Sequence, residues 1–302
     1  MSAELPHQID DSIVVAAMSQ TLRTPVIAVR PLRGAVGGQN VRLATADGAY
    51  TLKMAERGII STEIWACTWA SDHGLLAPEV ITADLSGRVL GRSYVVLRWQ
   101  DGTEPAPRDD AVAEAGRQLS RLHTTAIQGY GRVIVSAVHG EAKGEFETWS
   151  EYIESILDKR ADLSKNLILD PAVSRAANRA LRSVGHDITY TRPGAVLHSD
   201  LHLRHFLARH GQLTGILDWA DASVGDPIMD LAVLSYDGDE TLATFMLGYG
   251  LAMSLATRRK LVAYRLLSTI DTLWCEWRTG GDWFDTYRSR IAADTDVLAS
   301  MT

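Results

Sequence analysis

The chain has 302 residues, and its 30 lysines and arginines against 37 aspartates and glutamates give a formal net charge of −7. This length suits two domains or one large two-lobed unit, and a hydrophobic content of 46% is typical of globular proteins. An acidic surface repels phosphate backbones, so the composition argues against a nucleic-acid partner. The longest apolar run, Ile13–Met18, is far too short to cross a membrane.

Cysteine usage and the first residues indicate the compartment. Cys67 and Cys275 are too few for a disulfide framework or a cysteine zinc site. The N-terminal MSAELPHQIDDS has no basic segment followed by an apolar stretch, so no signal peptide is expected. We therefore expect a cytoplasmic protein with no membrane partner. Its negative charge is compatible with a cationic small-molecule ligand.

The first third of the chain reads as β-structure. Three strands are predicted over 26–54, and Asp47-Gly48 between the last two suits a tight hairpin turn. The segment GAVGGQN at 34–40 precedes that hairpin and contains three glycines in five positions. Such a backbone could approach a ligand closely, although a plain turn has the same composition.

A helix and another strand complete this region. The helix is predicted over 61–73, with Ser61 or Thr62 as its cap. The segment LAPEVI then interrupts it, and the next strand is predicted over 92–99. The stretch at 100–110 is rich in turn-forming residues.

The remainder of the chain is predicted to be mostly helical. One helix is expected over 110–125, capped by Asp109 or Asp110. A loop and a short hairpin around His210-Gly211 are expected over 194–219. The other helical segments are 147–162, 171–184 and 226–300.

These elements indicate an α+β chain with two lobes. We place a β-rich N-terminal lobe at 1–98 and a mostly helical C-terminal lobe at 99–302, with the hinge at 99–110.

The strongest functional signal lies in HSDLHLRH at 198–205 and ILDW at 216–219. The hairpin predicted between them returns Asp218 to the loop that carries Asp200 and His205. Carboxylates and imidazoles gathered in this way can hold a divalent cation and orient a hydroxyl nucleophile. Phosphoryl transfer requires both of these functions.

Two charged residues of the first third fit the same chemistry. Lys53, near the end of a predicted strand, could pair with nucleotide phosphates. Glu63 follows ten residues later in the next helix and could hold Lys53 in place, with Glu56 as the rival partner. A glycine-rich turn, a strand lysine, a helix glutamate and two aspartates occur in the order that a kinase needs.

Several motifs resemble one family. HSDLHLRHFL and GILDWADASVGDP look like the catalytic signature of the aminoglycoside phosphotransferase and choline kinase-like family. Its usual form is H-G-D-x-x-x-x-N followed by I-D-W/F-x-x-x-x-x-G-D-P. GAVGGQNVRLATADGAYTLKM is similar to the family's nucleotide hairpin, and AEAGRQLSRLHTT to the helix after its hinge. The matches follow the family's order over residues 31–235, so the resemblance implies a bilobal protein-kinase-like fold.

The resemblance also implies an activity and its residues. The activity is transfer of the γ-phosphate of ATP or GTP to a small-molecule hydroxyl with Mg²⁺. Asp200 becomes the catalytic base and Asp218 the principal metal ligand. Lys53 becomes the phosphate-binding lysine, with Glu63 as its partner.

The rest of the nucleotide site follows from the same resemblance. Gly37 and Gly38 belong to the glycine-rich turn, and the hinge strand near Leu97 to Trp99 becomes the adenine contact.

This chain departs from the family pattern at two positions. His205 stands where most members have asparagine as the second metal ligand, and an imidazole is a borderline ligand for magnesium. Some members that act on aminoglycosides or macrolides carry histidine here, so the departure is compatible with activity. Ser199 replaces the customary glycine.

The acceptor is indicated by acids among tryptophans near the C-terminus. These surroundings suit a polyamine or an aminosugar, through ion pairs and cation–π contacts. Solvated acids on the outer face of a helical core give the same pattern. The acids concerned are Glu276, Asp282 and Asp285.

Three functions remain open. The leading one is a kinase whose acceptor is an aminoglycoside or a related antibiotic. The second is a metabolite kinase acting on an amino alcohol or a sugar. The third is a nucleotide-binding pseudokinase that serves as an interaction module, a hypothesis motivated by His205 and Ser199.

Overall fold

The structure is a computed structural model that describes residues 9–32, 39–136 and 140–301. The elements up to the connecting segment are α1 (Asp11–Leu22), β1 (Val26–Pro31), β2 (Gln39–Thr45), β3 (Gly48–Ala55), α2 (Arg57–Asp72), β4 (Val80–Asp84) and β5 (Ser93–Arg98). Those that follow are α3 (Asp110–Leu122), β6 (Tyr130–Val135), β7 (Ala142–Phe146), α4 (Trp149–Lys165), α5 (Pro171–Ser183), β8 (Ala195–Leu197), β9 (Phe206–Arg209), β10 (Gln212–Ile216), β11 (Ser223–Gly225), α6 (Ile228–Leu234), α7 (Asp239–Tyr249), α8 (Leu255–Thr279) and α9 (Phe284–Ser300).

The N-terminal sheet has five antiparallel strands in the order β1-β2-β3-β5-β4. Its side chains alternate between two faces, because successive residues of a strand point in opposite directions. One face packs its apolar side chains against α1, with Leu43 and Leu52 fully buried beside Val14 and Met18. The other face carries Lys53 and stays partly accessible.

Helix α2 starts earlier than the sequence pattern predicted. It begins at Arg57, so the prediction of Ser61 or Thr62 as its cap is wrong. Thr62 is instead buried within the helix and donates a hydrogen bond from its hydroxyl to the carbonyl of Val133. The early start places Glu63 in the second turn, where it faces the sheet.

The C-terminal region contains the remaining strands and most of the helices. A four-stranded sheet has the order β7-β6-β11-β8, and β9 with β10 forms a separate hairpin. The turn of that hairpin has left-handed backbone at His210 (φ 53°) and Gly211 (φ 74°), which confirms the predicted tight turn. Helices α6 to α9 confirm the helical prediction for 226–300.

Helices α3 and α7 pack with almost no space between their backbones. A Cβ atom at Gly248 of α7 would collide with the carbonyl oxygen of Ala113, and one at Gly116 with that of Phe245. Glycine at both positions therefore permits the close approach. Through this packing α3 presents His123 to the interior.

A β-rich first region followed by a helical one confirms the predicted α+β class. Four short strands, β4, β6, β7 and β11, were not predicted. None of the helices in the described ranges is long and apolar enough to span a membrane.

Candidate active site

Lys53 joins the two regions of the molecule. Its Nζ donates hydrogen bonds to Glu63 Oε1 and Oε2, at 2.7 and 2.8 Å, and to Asp218 Oδ1 at 2.8 Å. Glu63 comes from α2 and is 1% exposed. The rival residue Glu56 is exposed and lies just before the helix. Lys53 therefore links α2 to the segment that follows β10.

The charges of this group stabilise one another. Burial alone would lower the pKa of Lys53, but Glu63 and Asp218 outweigh it and raise the pKa of Lys53 above its ordinary value. Burial would raise the pKa of Asp218, yet the positive charge of Lys53 lowers it to about 2. At neutral pH the site thus holds an ammonium group and an ionised aspartate in contact.

The loop that carries Asp200 is held by a buried carboxylate. Asp230, in the first turn of α6, accepts hydrogen bonds from the backbone N–H groups of His198 and Ser199, at 2.8 and 2.7 Å. Asp230 Oδ2, the oxygen that accepts from His198, also lies 3.0 Å from His123 Nε2. Asp230 is fully buried, so these partners replace the water it has lost. Asp230 therefore braces the loop that carries Asp200.

The loop turns sharply at Ser199, which has a left-handed backbone (φ 69°). Glycine adopts this conformation without strain, which explains the glycine of the usual motif. The Ser199 hydroxyl lies 2.6 Å from the hydroxyl of Ser223 in β11, and this hydrogen bond fixes the turn. His198 Nε2 donates to the carbonyl of Leu217 at 2.8 Å and so ties the loop to the residue before Asp218.

Asp200, His205 and Asp218 form one cluster. One ligand atom from each lies within 4.8 Å of the others. His205 Nδ1 donates to the backbone carbonyl of Asp200 at 2.8 Å, and its Nε2 lies 3.7 Å from Asp218 Oδ2. Burial lowers the pKa of His205 to about 4, against the attraction of the two aspartates, so the imidazole is neutral at pH 7.

This donor set suits a divalent cation. With Nδ1 occupied, the neutral imidazole of His205 has its lone pair on Nε2, on the side of Asp218. The carboxylate oxygens of Asp218 are hard ligands of the kind that Mg²⁺ prefers, and Asp200 lies in the same cluster. The residues present therefore fit a magnesium ion with one nitrogen ligand.

The residues predicted to contact the nucleobase differ in exposure. Leu97 is 2% exposed and belongs to the core beneath the sheet. Trp99 is half-buried just after β5, and the guanidinium of Arg42 stacks over its ring. Gly37 and Gly38 lie outside the described residues.

The predicted acceptor residues do not form one cluster. Glu276, near the end of α8, is 7% exposed and accepts a hydrogen bond from the backbone N–H of Trp283 at 3.0 Å. Asp282 is exposed, and the side chain of Asp285 is 98% exposed and paired with Arg288 in the same helix. Of the three acids, only Glu276 has a fixed environment.

Two neighbours of Asp200 were not among the site residues predicted from the sequence, which left His202 open between loop packing and the acceptor site and gave Arg204 no role. His202 is 8% exposed and lies between two carboxylates, 3.0 Å from Asp237 Oδ1 through Nδ1 and 3.5 Å from Asp200 Oδ1 through Nε2. Arg204 approaches Asp200 to 3.3 Å. Both residues lie inside the motif at 198–205, but Asp237 is 35 residues from His202, so no spacing rule reveals it.

A strand lysine bonded to a helix glutamate and to an aspartate after a hairpin, beside a loop aspartate, is the arrangement expected of a phosphoryl-transfer centre of the kinase type. The chain belongs to the phosphotransferase enzyme family, whose model matches residues 28–264.

Known proteins similar to this chain are kinases of small molecules. A homoserine kinase from Gluconobacter oxydans is 25% identical over 209 residues, which are 66% of this chain and 62% of that protein's own length. A Thermobifida fusca structure assigned as a fructosamine-3-kinase has a TM-score of 0.74 at 19% identity, over 95% of this chain and 98% of the other. At this identity the likeness shows the fold.

A further solved structure holds ligands. It is a thermostable mutant of an aminoglycoside phosphotransferase, in a ternary complex with AMP-PNP and hygromycin B. Its TM-score is 0.74 at 17% identity, over 95% of this chain and 98% of the other. These likenesses confirm the protein-kinase-like fold that the motifs implied.

Proposed function

We propose that this protein transfers the γ-phosphate of a nucleoside triphosphate to a hydroxyl of a small molecule. The observation that carries the proposal is the contact between Lys53 and two carboxylates, Glu63 and Asp218, beside the loop that carries Asp200. Such a set has little covalent chemistry to perform, because phosphoryl transfer depends mainly on positioning and charge neutralisation.

Each residue has a distinct role in this mechanism. Lys53 pairs with the phosphates, and Glu63 keeps its ammonium in the cleft. Asp218 and His205 would hold Mg²⁺, which neutralises phosphate charge when bound. Asp200 accepts the hydrogen bond of the acceptor hydroxyl, aligns its oxygen for in-line attack and takes up its proton.

The acceptor proposed first is an aminoglycoside or a related antibiotic. The support is the similarity to the phosphotransferase with hygromycin B and the net charge of −7, which favours a cationic ligand. Homoserine, fructosamines and aminoglycosides all combine a hydroxyl with an amino group, so an amine-bearing acceptor is common to the three relatives.

A metabolite acceptor with a carboxylate is the second candidate, and Arg204 favours it. Its guanidinium is half-exposed and lies 3.3 Å from Asp200. Arginine is well suited to pairing with an acceptor carboxylate, such as that of an amino acid.

One panel of acceptors distinguishes these proposals. The protein is incubated with Mg²⁺, ATP or GTP, and separate aminoglycosides, macrolides, homoserine and a fructosamine, with Asp200→Asn as the blank. Acceptor-dependent turnover that is lost in the blank supports the kinase proposal and identifies the acceptor class. Turnover with homoserine that is abolished by Arg204→Ala favours the second candidate. If no acceptor on the panel supports turnover and the nucleotide does not bind, both candidates are contradicted.

A further inference from the structure

Arg42 shares a face of the sheet with Lys53. In the pairing of β2 with β3, Asn40 is directly opposite Lys53 and Arg42 is directly opposite Thr51. Directly opposite residues of antiparallel strands project from the same face. Arg42 therefore lies on the cleft-facing side, displaced from Lys53 by two residues, or roughly 7 Å, along the strand.

That displacement is toward the connection between the two regions. Thr51 is paired on its other side with Leu97, and Trp99 follows two residues later, after β5 has ended. The guanidinium carbon of Arg42 lies 4.4 Å from the centroid of the Trp99 ring. The indole is itself held, because its Nε1 donates to Asp101 Oδ1 at 2.9 Å.

Among the described residues, no carboxylate forms an ion pair with the Arg42 guanidinium. Its Nε is buried and has no hydrogen-bond partner within the part of the chain that the structure describes. Its two directly opposite neighbours are Thr51 and Arg30, and neither supplies a carboxylate. Arg30 adds a like charge, which destabilises a cross-strand pair. Hydrogen-bond acceptors from a ligand would satisfy these donors.

Building on the proposed function, we propose that Arg42, held on Trp99, contacts the nucleobase of the donor and selects guanine, so that GTP is the preferred phosphate donor. Lys53 defines the phosphate end of the cleft, and the base lies toward Trp99. Guanine presents two adjacent acceptors, O6 and N7, which match the parallel donors of a guanidinium. Adenine presents its N6 amino donor beside N7, so one arginine donor would face another donor.

Calorimetric titration with non-hydrolysable analogues of GTP and ATP, in Mg²⁺ and without acceptor, tests this proposal. We expect the GTP analogue to bind the unmodified protein about 10- to 100-fold more tightly, the range for one bidentate arginine–guanine contact. Arg42→Ala should bring the two affinities within about threefold. Arg42→Lys should do the same, because lysine keeps the charge but lacks the two parallel N–H donors of the guanidinium.

Arg278→Ala is the matched control. Arg278 also stacks on an aromatic ring, that of Trp274 at 5.6 Å, but both residues belong to α8 rather than to the N-terminal sheet. This variant should leave the preference for GTP unchanged. Thermal unfolding shows which variants fold. If Arg42→Ala does not fold, Arg42→Lys provides the test.

Three results overturn the proposal: equal affinity of the unmodified protein for the two analogues, tighter binding of the ATP analogue, or a GTP preference that persists in the folded Arg42 variants. None of these results contradicts the proposed kinase function, because nucleotide still binds. Binding of neither analogue contradicts the kinase function itself, and the inference about the donor fails with it.

Discussion

The two ends of the candidate site differ in how far their charged side chains are fixed. At the phosphate end, Lys53 holds Glu63 and Asp218 within 2.8 Å, and Glu63 is almost completely buried. At the predicted acceptor end, Asp282 and Asp285 are exposed, and Asp285 is paired with Arg288 of its own helix.

This difference means that the structure indicates the type of reaction more clearly than it indicates the acceptor. A buried charge is stable only when its partners compensate for the lost water. The charged side chains at the phosphate end therefore have few alternative arrangements. Exposed ion pairs contribute little and rearrange easily. The chemistry can therefore be derived from the fixed end, while the acceptor has to be found by experiment.

The largest effect is expected for Asp200→Asn. Loss of the carboxylate removes the group that aligns the acceptor hydroxyl and takes its proton, so kcat should fall by about 10²- to 10⁴-fold. The KM for nucleotide should change little, because Lys53 and Asp218 remain. Steady-state kinetics with an active acceptor measures both values. Asp239→Asn, at an exposed position of α7, should behave as the unmodified protein; an unchanged kcat in Asp200→Asn would exclude Asp200 as the base.

Asp230→Ala tests the support of the loop at the phosphate end. The substitution leaves one buried and one partly buried backbone N–H group without an acceptor, so the free energy of unfolding should fall by about 2–4 kcal/mol. Urea denaturation at pH 7 measures it, and a loss below about 0.5 kcal/mol would contradict the bracing role.

The pH dependence of the same interaction has a defined sign. Burial opposes ionisation of Asp230, but its hydrogen bond with His123 and its other partners lower its pKa below the ordinary 3.8. The folded state therefore favours the ionised form, and this stabilisation is complete above about pH 4 and is lost as the pH falls further. The difference in the free energy of unfolding between the unmodified protein and Asp230→Ala should therefore become smaller at acidic pH.

Glu63→Gln should have a smaller effect. Lys53 keeps Asp218 as a partner but loses the carboxylate on the helix side, so the KM for nucleotide should rise by about tenfold. Glu56→Gln is the matched control, since Glu56 is an exposed glutamate just before the same helix. Equal nucleotide KM values for the two variants would mean that the Lys53–Glu63 pair does not position the lysine.

Asp285→Asn at the acceptor end should have the smallest effect. A side chain that is 98% exposed forms a weak, screened ion pair, so kcat and nucleotide KM should stay within about twofold. Acceptor KM values in low and high salt provide the measurement. A tenfold rise for a cationic acceptor would show that this acid contributes to substrate binding despite its exposure.

The sequence predicted the parts of the molecule that have local signals. His210-Gly211 identifies the hairpin because a tight turn needs left-handed backbone, and the hairpin brings Asp218 to the loop. Strand β11 has no such signal, because its three buried residues are too few to show a period. The start of α2 was misjudged because serine and threonine are strong caps, whereas Glu56 makes no capping bond.

The same limit applies to the site. The pairing of Lys53 with Glu63, with Glu56 as the rival, could be proposed from the sequence because a kinase site needs a strand lysine followed by a helix glutamate. Contacts made by distant parts of the chain, such as Asp237 with His202 or Arg42 with Trp99, depend on tertiary packing. No spacing in the chain predicts them.

The most direct test of the phosphoryl-transfer centre is the affinity for a non-hydrolysable nucleotide with and without Mg²⁺, in the unmodified protein and in Asp218→Asn. If Asp218 holds the metal against the phosphates, Mg²⁺ should tighten binding to the unmodified protein by about tenfold or more and have almost no effect on the variant. Equal dependence on Mg²⁺ in both proteins would contradict the assignment of Asp218 and, with it, the mechanism.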